Sequence, residues 1–78
     1  MHRERGIRFF FFSREEMRIH VHVYSEQGEA KFWLEPEIEI AANHGLPAQQ
    51  LRLAESIIKE HHNDFIRAWR RYFRSGSD

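Results

Sequence analysis

Met17-Arg18-Ile19-His20-Val21-His22-Val23-Tyr24 alternates without a slip: Met17, Ile19, Val21 and Val23 fall on one side, Arg18, His20, His22 and Tyr24 on the other. A period of two marks a half-buried strand, because successive side chains of a strand leave on opposite faces. Ser25-Glu26-Gln27-Gly28 follows as a tight turn in which Gly28 is free to take positive φ. Glu29 to Leu34 alternates again, setting Ala30, Phe32 and Leu34 against Lys31 and Trp33. Two alternating strands joined by so short a turn pair antiparallel.

Outward from this hairpin the same logic extends in both directions. Ile7 to Phe12 is aromatic and β-branched, a composition that fits a pleated sheet, and Ser13-Arg14-Glu15-Glu16 is a polar turn. Glu35-Pro36 reads as a second turn, and Glu37 to Ala42 as a strand turning Ile38, Ile40 and Ala42 inward. Strands over residues 7–12, 17–24, 29–34 and 37–42 predict a four-stranded antiparallel β-meander with one packed face and one wet face.

After Asn43-His44-Gly45 the period changes. Leu51, Ala54, Ile58, His61, Phe65, Ala68/Trp69 and Tyr72 step by three or four, one face of an α-helix over residues 47–74. Pro47 suits the first helical turn, Glu55 and Lys59 form a favourably ordered pair, and Arg67, Arg70, Arg71 and Arg74 suit the negative end of the helix dipole. Gly76 is a plausible stop. The fold class is therefore α+β, ββββα, in one domain spanning residues 1–78, with residues 1–5 and 75–78 frayed.

Two lengths and one edge resist this arrangement. A helix over 47–74 runs roughly 40 Å, whereas strands of six to eight residues span about 20–27 Å. Either the helix bends near His62-Asn63-Asp64 or its last turns overhang; the unbroken period favours the overhang. The Phe9-Phe10-Phe11-Phe12 strand lies at a meander edge yet is apolar on both sides, a pairing hazard unless covered. A homodimer or a small cognate protein partner resolves both, with Phe9, Phe11, Trp33, Trp69 and Phe73 as the expected partner contacts.

Composition narrows the classes of function. Seventy-eight residues build one core, and no cysteine is present to staple it or to bind metal as thiolate, which fits a reducing, cytoplasmic setting. Twelve basic and twelve acidic side chains cancel, so no whole-molecule positive field attracts nucleic acid. The longest apolar run, Phe9 to Phe12, falls far short of the ~7–15 residues of a secretory core and the ~20 of a membrane helix. No membrane association is expected.

His20-Val21-His22 is the main chemical candidate. A spacing of two sends both imidazoles to the non-core face beside Arg18 and Tyr24, with Lys31 and Trp33 sharing that face on the next strand. Two imidazoles could work as base and acid on a phosphodiester while Lys31 or Arg18 stabilises the developing charge, as in a metal-independent ribonuclease. The same pattern also fits solvated histidines on an open sheet. As a metal motif His-x-His supplies two ligands where zinc takes at least three, and nothing in the sequence brings His44, His61, His62 or a carboxylate to join them. No metal site and no cofactor is assigned. His61 falls on the apolar helix face and reads as a core histidine with a satisfied ring, His62 as a surface residue. The terminal arginines with Trp69, Tyr72 and Phe73 form a basic-aromatic pattern that keeps RNA among the partners considered.

Arg8-Phe9-Phe10-Phe11-Phe12-Ser13, His20-Val21-His22-Val23, Gly28-Glu29-Ala30-Lys31-Phe32-Trp33-Leu34-Glu35-Pro36 and the helical His61…Phe65…Trp69 together resemble the bacterial family catalogued as domain of unknown function 4160. The resemblance runs from about Gly6 to Phe73. It implies a small stand-alone bacterial protein, with a gene often beside a second small gene in a toxin–antitoxin-like pair. It implies no assigned activity. Two departures stand out: Arg18-Ile19 replace a Pro-Pro pair usual before the first histidine, and Pro47 with Gln50 replaces a Ser capping box at the helix start. The expectation is a protein-interaction module of such a pair, with a ribonuclease-like toxin using the histidine pair as the alternative.

Overall fold

The structure is a computed structural model and describes residues 2–11 and 18–74, the last two by backbone alone. Five strands form one antiparallel sheet in chain order: β1 (His2–Glu4), β2 (Ile7–Phe10), β3 (His20–Ser25), β4 (Gly28–Trp33) and β5 (Glu39–His44). Two helices follow, α1 (Ala48–Glu60) and α2 (His62–Arg74). The α+β class and the antiparallel meander are as expected; the strand count and the single helix are not.

The fifth strand comes from the segment expected to fray. Arg5 and Gly6 take φ of 56° and 80°, the pair of positive values a two-residue type I′ hairpin requires. That turn folds His2–Glu4 back on β2, pairing His2 with Phe9 and Glu4 with Ile7. β2 is thereby an interior strand, so the phenylalanine-rich edge anticipated from sequence does not exist among the described residues. Phe12 and Met17 lie outside them, as does the polar turn between.

The helix bends. His61 closes α1 with φ −112° and ψ 24°, while His61 N–H still donates to the Ile57 carbonyl (3.1 Å) and Phe65 N–H to the His61 carbonyl (2.9 Å). The hydrogen-bond ladder thus continues through a kink. Its site is the His-His-Asn-Asp run, residue types of modest helix propensity. The two halves, 13 residues each, are each about 20 Å long, the length of a six-residue strand.

The kink also resolves the two places where the isolated fold looked incomplete, because they cover one another. Phe65 of α2 packs on Phe9 with centroids 5.6 Å apart, and Tyr72 approaches Phe11 at 5.9 Å. Phe9 is fully buried, and Phe11 and Trp69 nearly so. They join Ile7, Val21, Val23, Phe32, Leu34, Ala54, Ile57 and Ile58 in one core between sheet and helices. Each large apolar side chain so buried contributes about 1.5–3 kcal/mol.

Strand β5 departs from a simple alternation. A bulge lets Phe32 pair with Ile40 but Lys31 with Ala42, leaving Ala41 as the extra residue. Ala42 consequently joins the open face instead of the core, and Ile40, expected inward, is 50% exposed. At the end of β5 the Asn43 side chain accepts from Leu46 N–H and donates to Leu46 carbonyl oxygen, both at 3.0 Å. Gly45 takes φ +103° in that turn. Pro47 then stands as N-cap, one residue ahead of the helix, with no side-chain cap bond. Gly28 keeps no positive φ; its lack of a side chain is demanded by backbone, since a Cβ there would lie 2.6 Å from Gly45 C and His44 O. The Glu35–Pro36 peptide is cis.

Candidate functional site

The helices cover one face of the sheet, and among the described residues no helix lies across the other. Strand alternation brings Arg8 and Phe10 of β2, His20, His22 and Tyr24 of β3, Glu29, Lys31 and Trp33 of β4, and Ala42 of β5 to the open face. Cross-strand register sets them in rows: Phe10–His22–Lys31–Ala42, and beside it His20–Trp33–Glu39. All four residues expected to carry chemistry, His20, His22, Lys31 and Arg18, therefore meet in one region.

The imidazoles of His20 and His22 lie edge to face with centroids 5.3 Å apart. His20 is 1% exposed. Its Nδ1–H donates to the Arg18 carbonyl oxygen at 2.9 Å. Its ring also meets the edge of Trp33 at 5.9 Å. His22 is less enclosed and stacks on Phe10 at 5.6 Å with a 19° interplanar angle. A depression of about 380 Å³ opens beside it, lined by Phe10, His22, Glu29, Lys31, Ala42 and His44.

Trp33 is the centre of a cation–aromatic group. The Arg18 guanidinium lies 4.4 Å and the Lys31 ammonium 4.8 Å from its ring centroid. Arg18 is fixed there by donating Nε–H to the Glu35 carbonyl oxygen (2.7 Å) and by an ion pair to Glu39 (3.5 Å). Arg8 repeats the motif over Tyr24 at 5.4 Å. Such contacts are worth about 0.5–1 kcal/mol each at exposed sites, and they hold flexible cations in fixed positions.

Of the residues expected to meet a partner, only Trp33 is on an accessible surface. Phe9, Phe11 and Trp69 are core, covered by this chain itself, and the Phe73 side chain lies outside the described residues. Their mutual cover depends on the break between α1 and α2 at His61, which the helical period does not announce.

A second cluster was missed. His2 of β1 donates Nε2–H to Glu4 Oε1 at 3.0 Å, and His61, at the helix kink, brings its Nε2 to 3.3 Å from the same oxygen. His61 is thus half-exposed and partnered across the fold, not enclosed in the core. The hydrogen bond from His2 is the main influence holding the Glu4 carboxyl below its ordinary range; partial desolvation opposes it and His61 reinforces it. His62, expected at the surface, is half-buried and donates Nε2–H to the Leu34 carbonyl at 2.7 Å, fastening α2 to the end of β4.

A five-stranded antiparallel meander with helices across one face and aromatic and charged side chains on the other makes this a small α+β domain. The chain belongs to the family described as "Domain of unknown function (DUF4160)", whose profile matches residues 6–70. No curated protein and no solved structure matches it. Among the described residues no helix is long and apolar enough to cross a membrane.

Proposed function

We propose that this chain is the protein-binding member of a two-protein, toxin–antitoxin-like pair in the bacterial cytoplasm, and that it engages its cognate partner through the open sheet face. The supporting observation is the Arg18–Trp33–Lys31 group with Arg8–Tyr24 beside it. Trp, Tyr and Arg are the residue types in which binding energy concentrates at protein interfaces, and here their orientations are set before a partner arrives. The partner surface it suits is acidic and apolar together. Phe9, Phe11 and Trp69 have no part in this reading, since they are used up in the core.

The test is co-purification from the native host of untagged neighbours with the tagged chain, wild type against Trp33→Ala and Arg18→Ala. One stoichiometric protein that is retained by the wild type and lost from both variants supports the reading. A chain that sediments alone as a monomer, or as a homodimer indifferent to both substitutions, sinks it.

A ribonuclease reading has its own observation in the 5.3 Å between the His20 and His22 rings, with Lys31 directly across from His22. Geometry of this kind permits one imidazole to take a proton while the other gives one. Against it stands the enclosure of His20, whose Nδ1–H is already committed to the Arg18 carbonyl. Cleavage of single-stranded RNA by the wild type, abolished in His22→Ala with the fold intact by circular dichroism, would put this reading first. Equal activity in both proteins removes it.

A further inference from the structure

The His2–Glu4–His61 cluster lies on the helix-covered side of the sheet, at the β1 edge, apart from the open face and independent of any role assigned to that face. Three donor atoms, two imidazole nitrogens and a carboxylate oxygen, all lie within 4.8 Å of one another. The two distances to Glu4 Oε1 are 3.0 and 3.3 Å. Zinc holds nitrogen and oxygen ligands at about 2.0–2.1 Å in a tetrahedron, which separates neighbouring donors by about 3.3 Å. Glu4 therefore already sits at ligand spacing from both rings, and only the two imidazoles need draw together.

We infer that His2, Glu4 and His61 form a binding site for a divalent transition metal of the zinc class. Two imidazoles with one carboxylate favour zinc and its borderline neighbours over magnesium or calcium, which prefer all-oxygen sets. The rings are oriented in advance. His2 packs on Phe9 and Phe65 with centroids at 5.6 and 5.4 Å, and His61 stacks on Phe65 at 6.0 Å. Asp64 places Oδ2 3.9 Å from His61 Nδ1 and is itself held by Arg67 at 2.6 Å. At 3.9 Å Asp64 makes no hydrogen bond to His61, and it would have to close by about 1 Å to give a metal-bound histidine the usual outer support. Each ligand side chain keeps 28–29% of its surface exposed, so a metal can enter and a water can complete the shell.

Binding would tie the shortest strand to the junction of the two helices, joining residues far apart in the chain. Only His61 lies within residues 6–70, where the family profile matches; the family relationship neither supplies nor predicts the site.

The test uses the full chain without a histidine tag, stripped by chelator and titrated with zinc chloride. Expected are one zinc per chain by calorimetry and a melting temperature raised on the order of 10 °C at free zinc about 100-fold above Kd. Cobalt(II) should give the visible absorption of a four- or five-coordinate ion. Glu4→Gln keeps the side-chain shape, and both it and His2→Ala should weaken binding roughly tenfold or more. The His20→Ala/His22→Ala double variant should bind as the wild type does. Absence of saturable binding overturns the site. So does binding unchanged in Glu4→Gln and His2→Ala, or binding lost in the double variant, which would move the metal to the open face.

Discussion

Phe32 and Trp33 are neighbours in sequence and differ in almost everything else. Phe32 points into the layer between sheet and helices and is fully buried; Trp33 points the other way and rests among Arg18, Lys31 and His20. One face of the sheet buries its aromatic residues beneath the helices and the other leaves Trp33 and Tyr24 partly accessible. Composition does not separate the two faces, since both carry large rings. What separates them is whether a helix lies across them, and strand parity decides which ring meets it.

The sharpest way to break this comparison is to truncate both neighbours. Phe32→Ala should cost about 3–5 kcal/mol, the usual range for a phenylalanine removed from a packed core. A domain of this size starts near the low end of the ~5–15 kcal/mol typical of folded proteins, so that variant should be largely unfolded. Trp33→Ala loses two cation–π contacts and should cost about 1–2 kcal/mol. Urea denaturation followed by far-UV circular dichroism measures both. Equal losses would mean that the open face is as structural as the covered one.

A second substitution asks what closes the covered face where side chains run out. At Gly28 the facing surface is the backbone of His44 and Gly45, not a flexible side chain. Gly28→Ala should therefore cost about 1–3 kcal/mol, as overpacking does. Gly6→Ala meets no atom within 4 Å and strains only its φ of +80°, so it should cost about 1 kcal/mol. A milder effect at Gly28 than at Gly6 would show that the β5–α1 turn yields.

The same residues show how far the fold was legible. Val21, Val23, Ala30 and Phe32 announced β3 and β4 through local alternation, and these strands carry most of the sheet. The His20–His22–Lys31 grouping was legible for the same reason, because a spacing of two and one hairpin register place all three. What stayed hidden was non-local. β1 depends on Arg5 accepting a positive φ, which an arginine does not advertise. The kink at His61 depends on the sheet being shorter than an unbroken helix, and the helical period runs straight through it. His2 and His61 belong to no shared pattern until both have happened, so the metal-type cluster had no signal in sequence beyond the histidine count.

The third prediction concerns how the helix layer is fastened to the sheet. His62→Ala removes the 2.7 Å bond to the carbonyl of Leu34, a buried residue just beyond β4. The expected loss is about 1 kcal/mol, typical of one net intramolecular hydrogen bond. Thermal unfolding reads it as a fall of roughly 4–8 °C. No change would mean that water replaces the histidine, and that side-chain packing alone holds α2 in place.

The smallest effect should come from the open face, and its smallness carries meaning. Glu39 meets Arg18 at 3.5 Å with both side chains well exposed, 56% and 39%. Glu39→Gln keeps the shape and removes the charge. An exposed pair contributes about 0–1 kcal/mol, and Arg18 retains its bond to the Glu35 carbonyl and its place over Trp33. Stability should therefore change by less than about 0.5 kcal/mol. If the proposed partner binding holds, recognition should respond differently, because neutralising Glu39 leaves the Arg18 charge less compensated and the face more attractive to an acidic surface. Faster association, with salt sensitivity increased and the urea midpoint unmoved, is the expected result in stopped-flow and denaturation measurements. A shifted midpoint with unchanged association would place Arg18 and Glu39 among the residues that hold the fold together, and the division between a structural face and a contact face would fail at that pair.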